Sequence, residues 1–272
     1  MTFEDFEIIE NVRQIKAVDK SGYRKIRFCG QQAKRDALDY FWVDTCCIDK
    51  SNSSELQEAI NSMFKWYKNA TKCYVYLFDI SIEAPALGEE VCIPSQLQNC
   101  RWFTRGWTLQ ELIATEDVTF FDCDWNSIGS KKRLVETIAG ITGIDSLVLS
   151  HRCELHELSV AKRLSWAALR QTTRVEDQAY CLLGLMDINM TLIYGEGEKA
   201  FKRLQDELIR KSADGSLFLW FRGMDTGILA ASPSRFLPCG KIVQTQTNGV
   251  SYSWEMTHRG LRLTLPLSLI HI

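Results

Sequence analysis

The chain has no run of 18 or more apolar residues, so nothing in it reads as a bilayer span. Its start, Met1-Thr2-Phe3-Glu4-Asp5-Phe6, is acidic where a secretory leader needs basic residues and then an apolar core. Charge of either sign is in little excess. The 32 Lys and Arg against 34 Asp and Glu leave a formal −2, which gives no basic field for nucleic acid and no acidic tail. There is no C-x-x-C among the ten cysteines. Histidine is scarce: of the four, His151 and His156 share one polar stretch, while His258 and His271 lie near the end. A Ser-His-Asp or Cys-His nucleophilic site is therefore poorly served. No G-x-G-x-x-G or Walker lysine surrounds Gly195-Glu196-Gly197, which reads as a turn before a helix rather than a phosphate loop. The expected compartment is the cytoplasm, with reduced thiols, Cys46, Cys47, Cys73, Cys123 and Cys181 being read as small buried hydrophobes. The trio His151, Cys153 and His156 lacks the fourth ligand of a structural zinc site and reads as a polar loop, so no metal is expected.

What is present is an ordinary globular composition, 46% apolar and 24% charged over 272 residues, enough for one large domain with a smaller appendage. Charged and apolar residues alternate over 7–37 in a pattern that predicts one or two helices. The aromatic and β-branched run from Asp39 to Ile48 predicts a buried strand. Ser54 with Gln57 suggests a capping box for an amphipathic helix over 55–68. Strands are predicted at 73–78 and 118–121, with a turn-helix over 101–114 between them and a loop over 81–99. That order argues for a parallel sheet flanked by helices. Helices are predicted at 130–141, 159–170, 177–185 and 196–211. Beyond Gly215, short runs at 217–221, 240–243 and 261–265 predict a small β-rich appendage, and the apolar ending Ser268-Leu269-Ile270-His271-Ile272 reads as a chain cut short.

Three segments in order resemble one family. They are Tyr40-Phe41-Trp42-Val43-Asp44-Thr45-Cys46-Cys47-Ile48-Asp49-Lys50, then Trp102-Phe103-Thr104-Arg105-Gly106-Trp107-Thr108-Leu109-Gln110-Glu111-Leu112. The third runs from Arg174-Val175-Glu176-Asp177-Gln178-Ala179-Tyr180 to Tyr194-Gly195-Glu196-Gly197-Glu198-Lys199-Ala200-Phe201. These resemble the motifs of the fungal heterokaryon-incompatibility (HET) domain family. The resemblance implies a HET domain over 1–212 and an incomplete HET-associated segment over 213–272. Two departures stand out: the apolar strand with a Ser-His-x-Trp-Gly turn that usually precedes Thr2-Phe3-Glu4-Asp5 is lacking, and Thr191 stands where relatives commonly carry proline.

The resemblance implies a cytoplasmic cell-death effector in non-self recognition, working by self-assembly as a homo-oligomer, with a sensor protein or a switch domain of a parent chain as partner. It also implies a distant likeness to TIR domains, some of which cleave the nicotinamide–ribose bond of NAD with the glutamate of a Trp-Cys-x-x-Glu-Leu helix. Trp107-Thr108-Leu109-Gln110-Glu111-Leu112 matches that pattern except at Thr108, and the four-residue spacing puts the Trp107 indole and the Glu111 carboxylate on one helical face. On that reading Glu111 is the catalytic candidate, Asp44, Arg105 and Trp107 bind substrate, NAD is the substrate, and no resident cofactor is needed. The alternatives are structural. Glu111 pairs with Arg105, Asp44 bonds its following turn, Arg105 bridges to Glu111 or Asp44, and Arg174, Glu176 and Asp177 position a helix start. A third possibility for the whole chain is an inactive interaction module.

Overall fold

In the computed structural model, which describes residues 6–9, 12–15, 21–82, 95–221, 223, 227–243, 253–257 and 260–264, the first elements are not the helices the sequence predicts. Strands β1 (Phe6–Ile9) and β2 (Val12–Ile15) form an antiparallel hairpin with Ile9 opposite Val12. The β-branched residues concentrated there favour a pleated ribbon over a helix. Helix begins at α1 (Ser21–Arg35), which buries Ile26 and Ala33.

The strand predicted over 39–48 does not form. Tyr40 is 90% exposed, and no strand among the described residues pairs with this stretch. The backbone is extended at Val43 and then winds into a single turn, α2 (Asp44–Cys47), where the amides of Cys46 and Cys47 both donate to the Val43 carbonyl. Aromatic content signals a strand only where a neighbour takes up the edge hydrogen bonds, and here none does.

Helix α3 (Ser53–Asn69) is capped two residues earlier than predicted. The Asn52 side chain accepts from the amides of Ser54 (3.1 Å) and Glu55 (3.3 Å), while Glu55 reaches back to the Asp49 amide at 2.9 Å. Gln57, released from capping, accepts instead from the Leu192 amide.

The central sheet has the order β3 (Cys73–Tyr76), β4 (Val118–Phe121), β5 (Ser127–Ser130). β3 and β4 run parallel, Cys73 opposite Val118, and are joined through α4 (Thr108–Ala114). β4 and β5 are antiparallel, with a register shift between Phe120 and Phe121. The sheet is thus mixed rather than wholly parallel. Two tight interactions set that return. Asp122 accepts from the amides of Ile82, Asp124 and Asn126, and Trp125, at φ 68°, stacks on Phe28 of α1 with ring centroids 3.9 Å apart.

The helical extension predicted after the sheet is present: α5 (Val135–Thr142), α6 (Ser146–Leu149), α7 (Val160–Ser165), α8 (Asp177–Tyr180), α9 (Leu183–Met186) and α10 (Lys199–Lys211). α9 presses so closely on α3 that a Cβ at Gly184 would lie 2.0 Å from Cβ of Phe64. Glycine is a packing requirement at that position. In the last segment, 215–218 and 233–241 are 3-10 helices, so the strands predicted over 217–221 and 240–243 are absent. The Asp214 side chain caps the first of these through the Ser216 amide, and Pro233 starts the second. The predicted strand near 261–265 does form, as β7 (Gly260–Thr264) paired antiparallel with β6 (Ser253–Thr257). Of the loop expected over 81–99, Ser95–Asn99 forms a 3-10 helix instead, while 83–94, like the apolar ending, lies outside the described residues. Trp220, Phe236 and Cys239 join the same continuous core as Val75 and Leu112.

Candidate functional site

Sequence dictates a rigid mount for the second motif. The 3-10 turn Arg101–Thr104 leads through Gly106 into α4. The Gly106 amide donates to the Gln171 carbonyl at 2.8 Å, and a Cβ there would meet the Thr172 methyl at 2.5 Å, so glycine is needed for the close approach of the two segments. The Thr108 hydroxyl donates to the Trp102 carbonyl at 2.6 Å and accepts from Arg170 Nη1 at 3.0 Å. Arg170 Nη1 also holds the Arg105 carbonyl at 2.8 Å. At the other end, buried Lys131 donates to the carbonyls of Leu112 (3.1 Å) and Thr115, which the helix itself leaves unsatisfied. Both ends of α4 are clamped by side chains from outside it.

Glu111, in the middle of α4, projects to where two clefts meet. One, of about 940 Å³, runs along the outer edge of β3 and is walled by Tyr40, Trp42, Tyr74 and Trp125. The other, of about 570 Å³, opens toward Thr172, Asp177 and Tyr194. Both are lined by Asp44, Arg105, Trp107 and Glu111. The four residues singled out from the sequence therefore converge.

They converge without pairing. Among the described residues the Glu111 side chain has no hydrogen bond or ion pair, and no ion pair joins Arg105 to Glu111 or Asp44. Burial, and then the nearby Asp44 charge, push the Glu111 carboxyl up to about 8, against the pull of Arg105 and Arg170. The side chain is enclosed by protein on most sides yet partly open to the cleft, which suits a group that meets a ligand rather than a permanent partner.

Trp107 is fixed by a residue that sequence reasoning assigned only to a helix start. Its indole Nε1 donates to Asp177 Oδ2, and Tyr194 Oη donates to Oδ1. The neighbouring Glu176 does something different. Its Oε1 accepts from the amides of Gly195 (2.8 Å) and Gly197 (2.9 Å), so the anion seat of that glycine turn is filled from within. Those amide bonds hold the Glu176 carboxyl below its ordinary value, whereas burial raises that of Asp177. The signal for Asp177 was its place beside Tyr194 in the third motif, but only the fold brings it to Trp107.

The cleft follows the open edge of β3. Asp44 stands on a helical turn and not in the strand predicted from Asp39 to Ile48. Of the cysteines read as buried, Cys46, Cys73 and Cys181 are, but Cys47 is exposed and Cys123 half-buried. His151 lies 3.1 Å from Lys131 Nζ and Cys153 donates to Glu157, and no cluster among the described residues is arranged to hold a metal ion. No helix among them is long and apolar enough to cross a membrane.

No solved structure matches the chain. The family described as heterokaryon incompatibility protein (HET) matches residues 9–89, which include Asp44 but not Glu111. Vegetative incompatibility protein HET-E-1 of Podospora anserina is 50% identical over 200 residues, 73% of this chain. The overlap is 15% of that relative's length, so the chain spans a small part of the curated protein it matches. With the three motifs and these two matches agreeing, the chain belongs to the heterokaryon-incompatibility (HET) family.

Proposed function

We propose that the chain is the death-triggering domain of a fungal heterokaryon-incompatibility protein, acting in the cytoplasm in non-self recognition through regulated self-assembly. The observation that carries this reading is the 50% identity to one part of a vegetative incompatibility protein. A module shared with a far longer protein suits an effector unit that other segments switch on. Its partners are other copies of itself and a sensor or switch domain. The test is inducible expression in yeast, scored for growth, with light scattering on the purified protein. Growth arrest together with concentration-dependent oligomers supports the proposal. Healthy growth with abundant folded protein overturns it in favour of an inactive interaction module.

The convergence of Asp44, Arg105, Trp107 and Glu111 on one pair of clefts favours a second reading for how the effector kills, a TIR-like NAD glycohydrolase switched on by assembly. The parallel β3–α4–β4 crossover and the Trp107–Glu111 spacing support it. In that reaction the C–N bond electrons leave with neutral nicotinamide, the ribose C1′ becomes oxocarbenium-like, and water captures it. Nearby carboxylate charge stabilises that state without a strong general acid. Glu111, mostly protonated near neutrality, ionises as a cationic nicotinamide ring enters beside it. NAD measured in the expressing cells decides: depletion that Glu111→Gln abolishes supports hydrolysis, and growth arrest with NAD unchanged overturns it.

A further inference from the structure

The smaller cleft beside Glu111 gathers cations that form no ion pair among the described residues. Lys50, Arg101, Arg105 and Arg174 all line it, and all four are exposed at its mouth. None of them forms an ion pair among the described residues. Ion pairs elsewhere in the fold hold Lys72 to Asp36, Lys162 to Asp145 and Arg203 to Glu196. In a chain of net charge −2, four unpaired cations around one concavity are not a general basic surface.

Two of the four are also held in place. The Arg174 guanidinium lies over the Tyr194 ring, 4.4 Å from its centroid, and Tyr194 is tied through its hydroxyl to Asp177. Arg101 lies over the Phe78 ring at 5.4 Å. A guanidinium stacked on an aromatic face keeps its edge N–H groups free and loses less freedom on binding an oxyanion. Acidic groups lining the cleft are Asp44, Glu111 and Asp177, and Asp177 is occupied by Trp107 and Tyr194. A volume of about 570 Å³ is in the range of small-ligand sites and far too small for a nucleic-acid groove.

We propose that Lys50, Arg101, Arg105 and Arg174 form an anion-binding subsite that takes the diphosphate of a small phosphorylated ligand. Four donors of fixed positive charge suit a diphosphate, with two negative charges as a diester and about three when free, better than a single phosphate or a carboxylate. The proposal deepens the glycohydrolase reading by placing the phosphates of its substrate, but it concerns binding alone and requires no bond to be cleaved.

The experiment is calorimetric titration of the full chain with inorganic pyrophosphate and, separately, with orthophosphate at fixed ionic strength. Pyrophosphate should bind at least about tenfold more tightly than orthophosphate, since two phosphates engage more of the donors. The double variant Arg101→Gln, Arg174→Gln should weaken pyrophosphate at least about tenfold. A Lys202→Gln control on α10, outside the lining of the cleft, should retain binding. Arg101 and Arg174 are exposed, so their substitution leaves the core intact, and circular dichroism on the variants checks it. Absence of pyrophosphate binding, equal binding of both anions, or equal weakening by the Lys202 control each overturns the subsite. If the subsite fails while NAD loss in cells still depends on Glu111, the glycohydrolase reading stands without it. If pyrophosphate binds as described and NAD is untouched, the subsite stands and the hydrolysis does not.

Discussion

Trp107 and Asp177 meet across 70 residues of sequence, indole Nε1 to carboxylate Oδ2, at 3.2 Å. This contact joins the helix that carries Glu111 to α8 and, through Tyr194, to the turn before α10. Trp107 is half-buried and Asp177 buried, so loss of either partner strands a polar group in a poorly hydrated place. A double-mutant cycle with Trp107→Phe and Asp177→Asn, followed by urea denaturation, should give a coupling of about 1–2 kcal/mol. Additive effects would show that the two side chains are merely adjacent.

Glu111 makes stability depend on pH in a direction opposite to that of a salt-bridged carboxylate. Its folded value, about 8, lies above the ordinary 4.5, so between those pH values the unfolded chain is ionised while the folded chain keeps its proton. Folding then takes up a proton, and this group's stabilising contribution, whole below the ordinary value, is lost as pH rises through the folded one. Glu111→Gln removes the dependence. The melting temperature of the parent protein should therefore fall relative to the Gln variant from about pH 5 upward and level off above about pH 8. A gap of several degrees is expected at neutrality, each kcal/mol being worth roughly 2–4 °C at this size. Parallel melting curves at every pH would refute a protonated Glu111.

Glu176 carries the opposite sign. Its carboxylate is held below its ordinary value by the Gly197 and Gly195 amides, so its contribution is present above the unfolded value and disappears as pH falls through the folded one. Glu176→Ala should cost about 1–3 kcal/mol near neutrality and nearly nothing in strong acid. Denaturant titrations at pH 7 and near pH 3 test both halves of that statement.

Gly184→Ala probes the contact between α9 and α3. The added methyl would sit 2.0 Å from Phe64 Cβ, with a side-chain root that cannot swing away. Destabilisation of about 3 kcal/mol is expected, at the upper end for overpacking, with reduced soluble yield. Partial recovery in the double variant with Phe64→Leu would not be expected, because Cβ is common to both residues. Recovery with Phe64→Gly would locate the clash.

Legibility in the sequence followed burial. Residues 118–121 were readable as a strand because β-branched and aromatic side chains fill a short, mostly buried run there. α3 and α10 were readable from their apolar spacing. The run Tyr40-Phe41-Trp42 has the same composition as a strand, but composition does not say whether a neighbour exists to pair with, and here the rings border a cleft instead. The two 3-10 segments near the end are decided by the Asp214 cap and Pro233, local devices that override a short apolar alternation. For the site, the motif positions Asp44, Arg105, Trp107 and Glu111 were legible from resemblance. Asp177, Lys131 and Arg170 were not, since their roles exist only once distant segments are packed.

Lys131 has a mechanical consequence. By gripping the carbonyls at the trailing end of α4 while Arg170 grips the residues at its leading end, the fold denies that helix both sliding and axial rotation. The carboxylate it bears is thus a stationary post. Any on–off behaviour then falls to the opposite wall, the single helical turn Asp44–Cys47 and the exposed Tyr40 before it.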